Sequence, residues 1–394
     1  MNSQTEIINF CTIIDLIKMN FLPGFKIKQE PELISIFNKA YRNFNVILID
    51  GLGWNLFQKS GLSNYLPEKN ILRKALSQFP TTTAAHITSI RSGLPVSEHG
   101  VYEWNIYDPF YDDMITPLQM SLAGENDYDS LIAKGISPQL FPKENLSDLL
   151  KKSNLNSNVF LPRNYAGSYY SRTMASPAKV IPYKTSSEAL IQLRELNKQS
   201  GKKYNYLYFD QIDALSHKYG PNSEFVAVEL NDLFSLLAEI LFNHKQADTL
   251  YLVCADHGLT SINPEKAIYL NQIYPEIIQF LKKNQAGKPL VPAGSPRDQF
   301  LHIEEKYLDQ VIKTLKEKLS KVADIIPINE EFYPKYFKTN TPSQKLLERI
   351  GNVLILPKKH NTVWWYERGK FEVTFNGHHG GLSDDEKFTP LIII

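Results

Sequence analysis

The chain has 394 residues, of which 43% are apolar and 22% charged. That is an ordinary globular composition with room for a substantial core. Its 43 basic and 42 acidic side chains leave a formal net charge of +1, which argues against a nucleic-acid-coating surface or a polyacidic tail. Its 2 cysteines, Cys11 and Cys254, form no disulfide framework and no Cys-x-x-Cys motif. Cys254 lies in the apolar run Tyr251-Leu252-Val253-Cys254-Ala255 and reads as a small buried hydrophobe.

In chain order, Met1-Asn2-Ser3-Gln4-Thr5-Glu6 lacks the basic opening of an export signal, and the apolar stretch after it is broken by Asp15 and Lys18. No run approaches the length of a membrane span, so a cytoplasmic location is expected. Residues 46–49 are continuously apolar and end at Asp50; residues 159–161, 204–209, 249–254, 352–356 and 391–394 have the same character. Such runs suit strands covered on both faces, as in a mostly parallel sheet. Residues 223–242 and 306–320 carry apolar side chains at helical spacing. The alternation predicts an α/β fold, a mostly parallel central sheet sandwiched by helices. Residues 109–156 are polar and mixed and read as a lid or substrate loop. Residues 272–340, with a strand-like Phe300-Leu301-His302-Ile303, a helix and residues 322–328, read as a small inserted α+β subdomain. The catalytic core is then expected in residues 1–271 and 341–394.

In open α/β sheets ligands gather beyond the carboxyl ends of the strands, and the polar residues there supply five pieces. Asp50 ends the first run and precedes Gly51-Leu52-Gly53; it suits a metal ligand or a turn. Thr81-Thr82-Thr83 stands at a helix start, where unpaired N–H groups favour anions and a hydroxyl is a nucleophile if its pKa is lowered; an N-cap is the plain alternative. Asp213 and His217 share one face if their segment is helical, as zinc ligands or as an ion pair. Asp256-His257-Gly258 converges on one ion if it forms a turn, and Gly377-His378-His379-Gly380-Gly381 lets backbone approach a site closely. Together they offer three carboxylates, three imidazoles and one alkoxide, enough for two tetrahedral sites with open positions. Mixed oxygen and nitrogen ligation suits zinc and is compatible with manganese or iron.

In this order the residues resemble the alkaline phosphatase superfamily, and within it the type I phosphodiesterase/nucleotide pyrophosphatase family. That family has an Asp-Gly pair after its first strand and a Phe-Pro-Thr-Lys-Thr-Phe-Pro-Asn-His segment whose last Thr is the nucleophile. Here the segment reads Phe79-Pro80-Thr81-Thr82-Thr83-Ala84-Ala85-His86-Ile87, and counts from Phe79 forward and from Gly93 backward both choose Thr83 over Thr82. The similarity continues through Glu98-His99-Gly100, Tyr107-Asp108-Pro109, Asp213, His217, Gly220-Pro221, Asp256-His257-Gly258 and Gly377-His378-His379-Gly380.

The resemblance implies an alkaline-phosphatase-like fold and a hydrolase of phosphodiester or pyrophosphate bonds, acting on a small phosphorylated substrate of nucleotide type through a phospho-threonine. It implies two divalent metal ions, zinc first and manganese second. Asp50, Thr83, Asp256 and His257 would hold one ion, and Asp213, His217 and His379 the other. The chain departs from the pattern on the substrate side. Trp104 stands where the family has a phosphate-binding Asn, and Asn105, one residue on, is taken as its substitute. Thr82 replaces Lys, Ala84-Ala85 replace Phe-Pro, and Trp104 and Tyr107 are the candidates for an aromatic clamp. The alternatives are a phosphomonoesterase or phosphonate hydrolase, for which Arg91 or Arg297 would supply cationic groups, and a non-catalytic binding member. A dinucleotide-binding reading of Gly51-Leu52-Gly53 lacks its third glycine.

Overall fold

A computed structural model describes residues 8–22, 24–27 and 31–394. Residues 1–6, on whose composition the absence of an export signal was argued, lie outside the described residues. The centre is an eight-stranded sheet in the order Ile8–Asn9, Ile71–Leu76, Phe388–Ile393, Thr249–Cys254, Asn43–Ile49, Lys203–Phe209, Asn156–Pro162, Lys179–Tyr183. Every pairing is parallel except those of Phe388–Ile393, which runs antiparallel to both of its neighbours. The expected α/β sandwich is therefore the observed one.

The apolar runs are continuous because both faces of the sheet are covered. Phe44, Val46 and Leu48 enter one core, beneath helices Phe10–Phe21 and Thr83–Ser92. Ile47 and Ile49 enter the other, beneath helices Ser186–Lys198 and Glu224–Ile240. Cys254 is fully buried in the first core, as its surroundings predict. Among the described residues no helix is long and apolar enough to cross a membrane.

A four-stranded antiparallel sheet, Ala293–Ser295, Asp298–Leu301, Val353–Pro357, Ala323–Pro327, stands beside the main one, with helix Leu308–Leu319 packed on it. Its third strand corrects one expectation: residues 352–356 belong to this sheet and not to the parallel one. The run is apolar on both sides because Leu354 and Leu356 pack into the main core while Val353 and Ile355 pack into the smaller one. The small sheet thus draws on residues from both sides of the boundary expected at 340. The stretch from 109 to 156 is more ordered than a plain loop. Asp113–Thr116 and Ser121–Leu122 form a three-stranded sheet with Ile106–Asp108, and helix Leu146–Lys152 follows.

Candidate metal centre and substrate cavity

The chemistry-bearing residues meet at the carboxyl edge of three adjacent parallel strands. Asp50 follows Asn43–Ile49, Asp256-His257 follows Thr249–Cys254, and Asp213 and His217 lie on helix Gln211–Tyr219, which leaves Lys203–Phe209. Helix Thr83–Ser92 begins at Thr83, with Thr82 as its extended N-cap. The N–H groups of such a first turn have no partner within the helix, which suits them to an anion.

Thr83 Oγ1 lies 3.1 Å from His257 Nε2 and 3.4 Å from each carboxylate oxygen of Asp50. His257 Nε2 is also 3.5 Å from Asp50 Oδ1 and 3.5 Å from Asp256 Oδ2. On the other side, Asp213 Oδ1 is 3.4 Å from His217 Nε2 and 3.9 Å from His379 Nε2. Two groups have ligand atoms all within 4.8 Å of one another: Asp50, Asp256 and His257, and Asp213, His257 and His379. His257 stands between the two, its ring 3.9 Å from that of His379.

The backbone fixes each imidazole. Nδ1 of His217 donates to Gly377 O at 2.9 Å, and Nδ1 of His379 to Thr81 O at 3.0 Å. A carbonyl only accepts, so the proton sits on Nδ1 and the Nε2 lone pair faces inward, the arrangement usual for metal-binding histidines. Burial holds His217 down at about 4. Burial and neighbouring imidazoles hold His257 and His379 well below the usual range, so the rings are neutral. The acids move the other way. Burial, reinforced by Asp210, pushes Asp213 up to about 8, and burial pushes Asp256 up to about 7. Burial, with Asp256 and Asp213 beside it, also raises Asp50 well above the carboxylate range.

These residues fit a divalent cation. Asp213 Oδ1 and Asp256 Oδ2 are buried and accept no hydrogen bond. The imidazole nitrogens nearest them offer lone pairs and not protons. Three carboxylates that resist ionisation and three inward lone pairs lack the positive charge that a metal ion brings.

The surroundings contain partners that sequence reasoning missed. The Tyr208 hydroxyl donates a short hydrogen bond to Asp50 Oδ2. Thr81 joins the segment entering the Thr83 helix to the His379 loop: its hydroxyl donates to Gly381 O at 2.8 Å and accepts from Gly380 N at 3.1 Å. His86, which burial holds at about 4, donates from Nδ1 to Thr82 O at 2.8 Å and accepts Gln78 N at 2.9 Å, bracing the turn into the helix. The alternating tyrosines 204, 206 and 208 were the available signal for the first of these.

Beside Thr83 lies a cavity of about 220 Å³. Asp50, Thr83 and Asp213 line one end, and its walls include Trp104, Tyr128, Tyr165, Tyr170 and Tyr208. Trp104, the candidate clamp, is in this wall; Tyr107 is not, and its hydroxyl bonds Asp112 at 2.9 Å. Asn105 also lies outside the lining, and its Oδ1 accepts from the Thr116 hydroxyl at 2.9 Å. Arg91 lines the cavity, whereas Arg297 is fully buried in a bidentate ion pair with Glu386 at 2.9 and 2.8 Å.

A mostly parallel sheet with acids, imidazoles and a helix-start hydroxyl at its carboxyl edge defines the alkaline-phosphatase-like class that the motifs resemble. The profile of the type I phosphodiesterase / nucleotide pyrophosphatase family matches residues 45–382, and the chain belongs to that family. It is 23% identical over 386 residues to ectonucleotide pyrophosphatase/phosphodiesterase family member 3 of Rattus norvegicus, covering 93% of this chain and 40% of the relative. It is 22% identical over 244 residues to family member 5 of Homo sapiens, covering 58% of this chain and 47% of the relative. These matches thus take in less than half the length of either curated relative. The solved murine ectonucleotide pyrophosphatase / phosphodiesterase 5 superposes with a TM-score of 0.65 at 16% identity, over 89% of this chain and 87% of its own. The same murine protein in inactive form, in complex with AMP, gives 0.62 at 15% over the same shares. Phosphonoacetate hydrolase from Sinorhizobium meliloti 1021, in complex with phosphonoformate, gives 0.61 at 15% over 90% of each chain. At these identities the solved structures bear on the fold.

Proposed function

We propose that the protein hydrolyses phosphodiester or pyrophosphate bonds of nucleotide-type substrates through a phospho-threonine on Thr83, with two divalent ions, zinc by the chemistry of the donors. The observation that carries this is the position of Thr83 Oγ1 at the start of a helix, 3.1 Å from His257 Nε2 and 3.4 Å from Asp50, beside a second acid–imidazole group around Asp213. Asp50, Thr83, Asp256 and His257 would hold one ion, and Asp213, His217 and His379 the other, with His257 at the junction. Bound ions would supply Lewis-acid stabilisation of phosphoryl oxygens and lower the pKa of the attacking hydroxyl and water.

The chain's own residues do the rest. Thr83 Oγ1 bonds to phosphorus as the bond to the leaving oxygen breaks; water then attacks the same phosphorus and frees the hydroxyl. The N–H groups of the first helical turn donate to the equatorial oxygens, whereas Asn105 stands outside the cavity lining. Tyr208 holds the carboxylate of Asp50 in place. The aromatic walls around Trp104 suit a planar base, and a relative of like fold is solved with AMP. A phosphomonoesterase would need positive charge against phosphorus; Arg297 is engaged with Glu386, and Arg91, though in the cavity wall, stands eight residues along the helix from Thr83.

The test is a panel of p-nitrophenyl phosphate, bis-p-nitrophenyl phosphate and thymidine 5′-p-nitrophenyl phosphate, with and without added zinc. The diesters should turn over faster than the monoester by about tenfold or more, a gap worth about 1.4 kcal/mol of barrier, and only with metal. A preference for the monoester contradicts the diesterase reading.

A further inference from the structure

Helix Thr83–Ser92 carries Thr83, Ile87 and Arg91 at spacings of four, and all three line the cavity. A rise of about 1.5 Å per residue separates the first and last Cα atoms by roughly 12 Å. The guanidinium lies against the carbonyl of Ser171, a residue of the same cavity wall.

Arg91 is only 5% exposed, and its charge is unusually placed. Nε donates to Met174 O at 3.3 Å, one Nη donates to Ser171 O at 3.2 Å, and the group packs 5.6 Å from the centre of the Tyr206 ring. Two other buried arginines behave differently: Arg297 pairs with Glu386 and Arg349 with Asp108, each at 2.8 Å. Among the described residues Arg91 has no such carboxylate. A guanidinium has five N–H donors in a planar fork, and the two carbonyls use two of them. A desolvated cation with spare donors on the wall of a substrate cavity calls for acceptors from the ligand.

We propose that Arg91 reads the base of the substrate, favouring bases that present oxygen acceptors at the ring edge. The clearest are guanine, through O6 and N7, and uracil or thymine, through O4, where cytosine carries an amino group. Adenine meets the fork with an amino group where guanine has an oxygen. The neighbouring walls, Trp104, Tyr128 and Tyr170, are flat aromatic surfaces suited to stacking a ring, which favours a base over a small anion such as a carboxylate. This assignment rests on the nucleotide reading above. It makes Arg91 a specificity-determining residue, with no part in the phosphoryl step.

The experiment measures kcat and KM of the zinc-loaded enzyme for GTP, UTP and ATP, followed by release of the monophosphate, in the wild type, Arg91→Met and Arg91→Lys. Bis-p-nitrophenyl phosphate and a p-nitrophenyl diester with a carboxylate-ended arm are measured beside them. In the wild type, kcat/KM for GTP and UTP should exceed that for ATP by about tenfold or more. Arg91→Met should bring the three together, mainly by raising KM for GTP and UTP, and Arg91→Lys should fall between. The wild-type panel stands alone if a variant fails to fold. Nucleotide cleavage with no base preference, with a preference for ATP, or with a preference that survives Arg91→Met overturns the Arg91 assignment and leaves the nucleotide reading intact. Turnover of bis-p-nitrophenyl phosphate with nucleotides inert overturns both. The carboxylate-ended diester outrunning every nucleotide shows that the cavity reads an anion, and overturns the base assignment.

Discussion

The acid–imidazole cluster and the cavity next to it meet at the same threonine but are held in different ways. The residues of the cluster come from strand ends, a helix turn and a glycine-flanked loop, and several are tied by backbone contacts: His217 to Gly377 O, His379 to Thr81 O, Asp256 Oδ1 to the N–H of Gly51 at 3.2 Å and of His257 at 2.9 Å, while Asp50 is held by the Tyr208 hydroxyl. Main-chain partners survive changes of neighbouring side chains, so this geometry depends little on the rest of the sequence. The cavity walls come from separate segments, Trp104, Tyr128 and helix Tyr169–Ala175, and Trp104 and Tyr128 are 37% and 52% exposed. Such walls can be rebuilt one residue at a time without disturbing the cluster. The cluster thus leans on main-chain partners, and the cavity walls on side chains.

That contrast can be broken by substitution. The largest effect is expected at Thr83. Thr83→Ala should lower kcat by at least about a thousandfold while elemental analysis finds the metal content unchanged; retained turnover would remove the nucleophile. Asp213→Ala or His379→Ala should each cost about one bound ion per chain, and full retention would detach these residues from the second site. Tyr208→Phe should keep the ions but reduce turnover by about tenfold, the scale on which partners of metal ligands act. An unchanged kcat would make its bond to Asp50 structural only.

The smallest effect is one of pH on the metal-free protein. Asp213 at about 8 and Asp256 at about 7 keep protons that an unfolded chain sheds near its ordinary range, about 4. The folded state therefore binds more protons between these values. This contribution to stability is full below the unfolded pKa and is lost as pH rises through 7 to 8. Urea unfolding of chelator-treated protein should show lower stability at about pH 8 than at about pH 5, and zinc, by displacing those protons, should remove the difference. A metal-free protein more stable at the higher pH would contradict the raised carboxyl groups.

The same contrast explains what the sequence made legible. Asp50 and Asp256 were visible because each directly follows a continuous apolar strand, and Asp213 and His217 because four residues make one helical face. Residues 352–356 looked like their equals. Both faces of that strand are buried, and periodicity carries no information about which sheet takes it. Tyr208 was hidden for another reason. Its role arises across the ladder, where it stands opposite Leu48, two residues before Asp50, and no spacing along the chain shows that neighbour. Arg91 could be named as a candidate cation, but not distinguished from Arg297 until the ion pair with Glu386 removed the latter. The cluster was legible because strand ends are local features; the cavity was not, because its walls meet only in three dimensions.

The most direct measurement is an acid quench of the zinc-loaded enzyme during turnover of thymidine 5′-p-nitrophenyl phosphate, followed by peptide mass spectrometry. A nucleotidyl-phosphoryl adduct should be trapped on the peptide containing Thr81, Thr82 and Thr83, fragment to Thr83, and be absent from Thr83→Ala. An adduct on any other residue, or turnover in Thr83→Ala at the wild-type rate, would contradict the central claim.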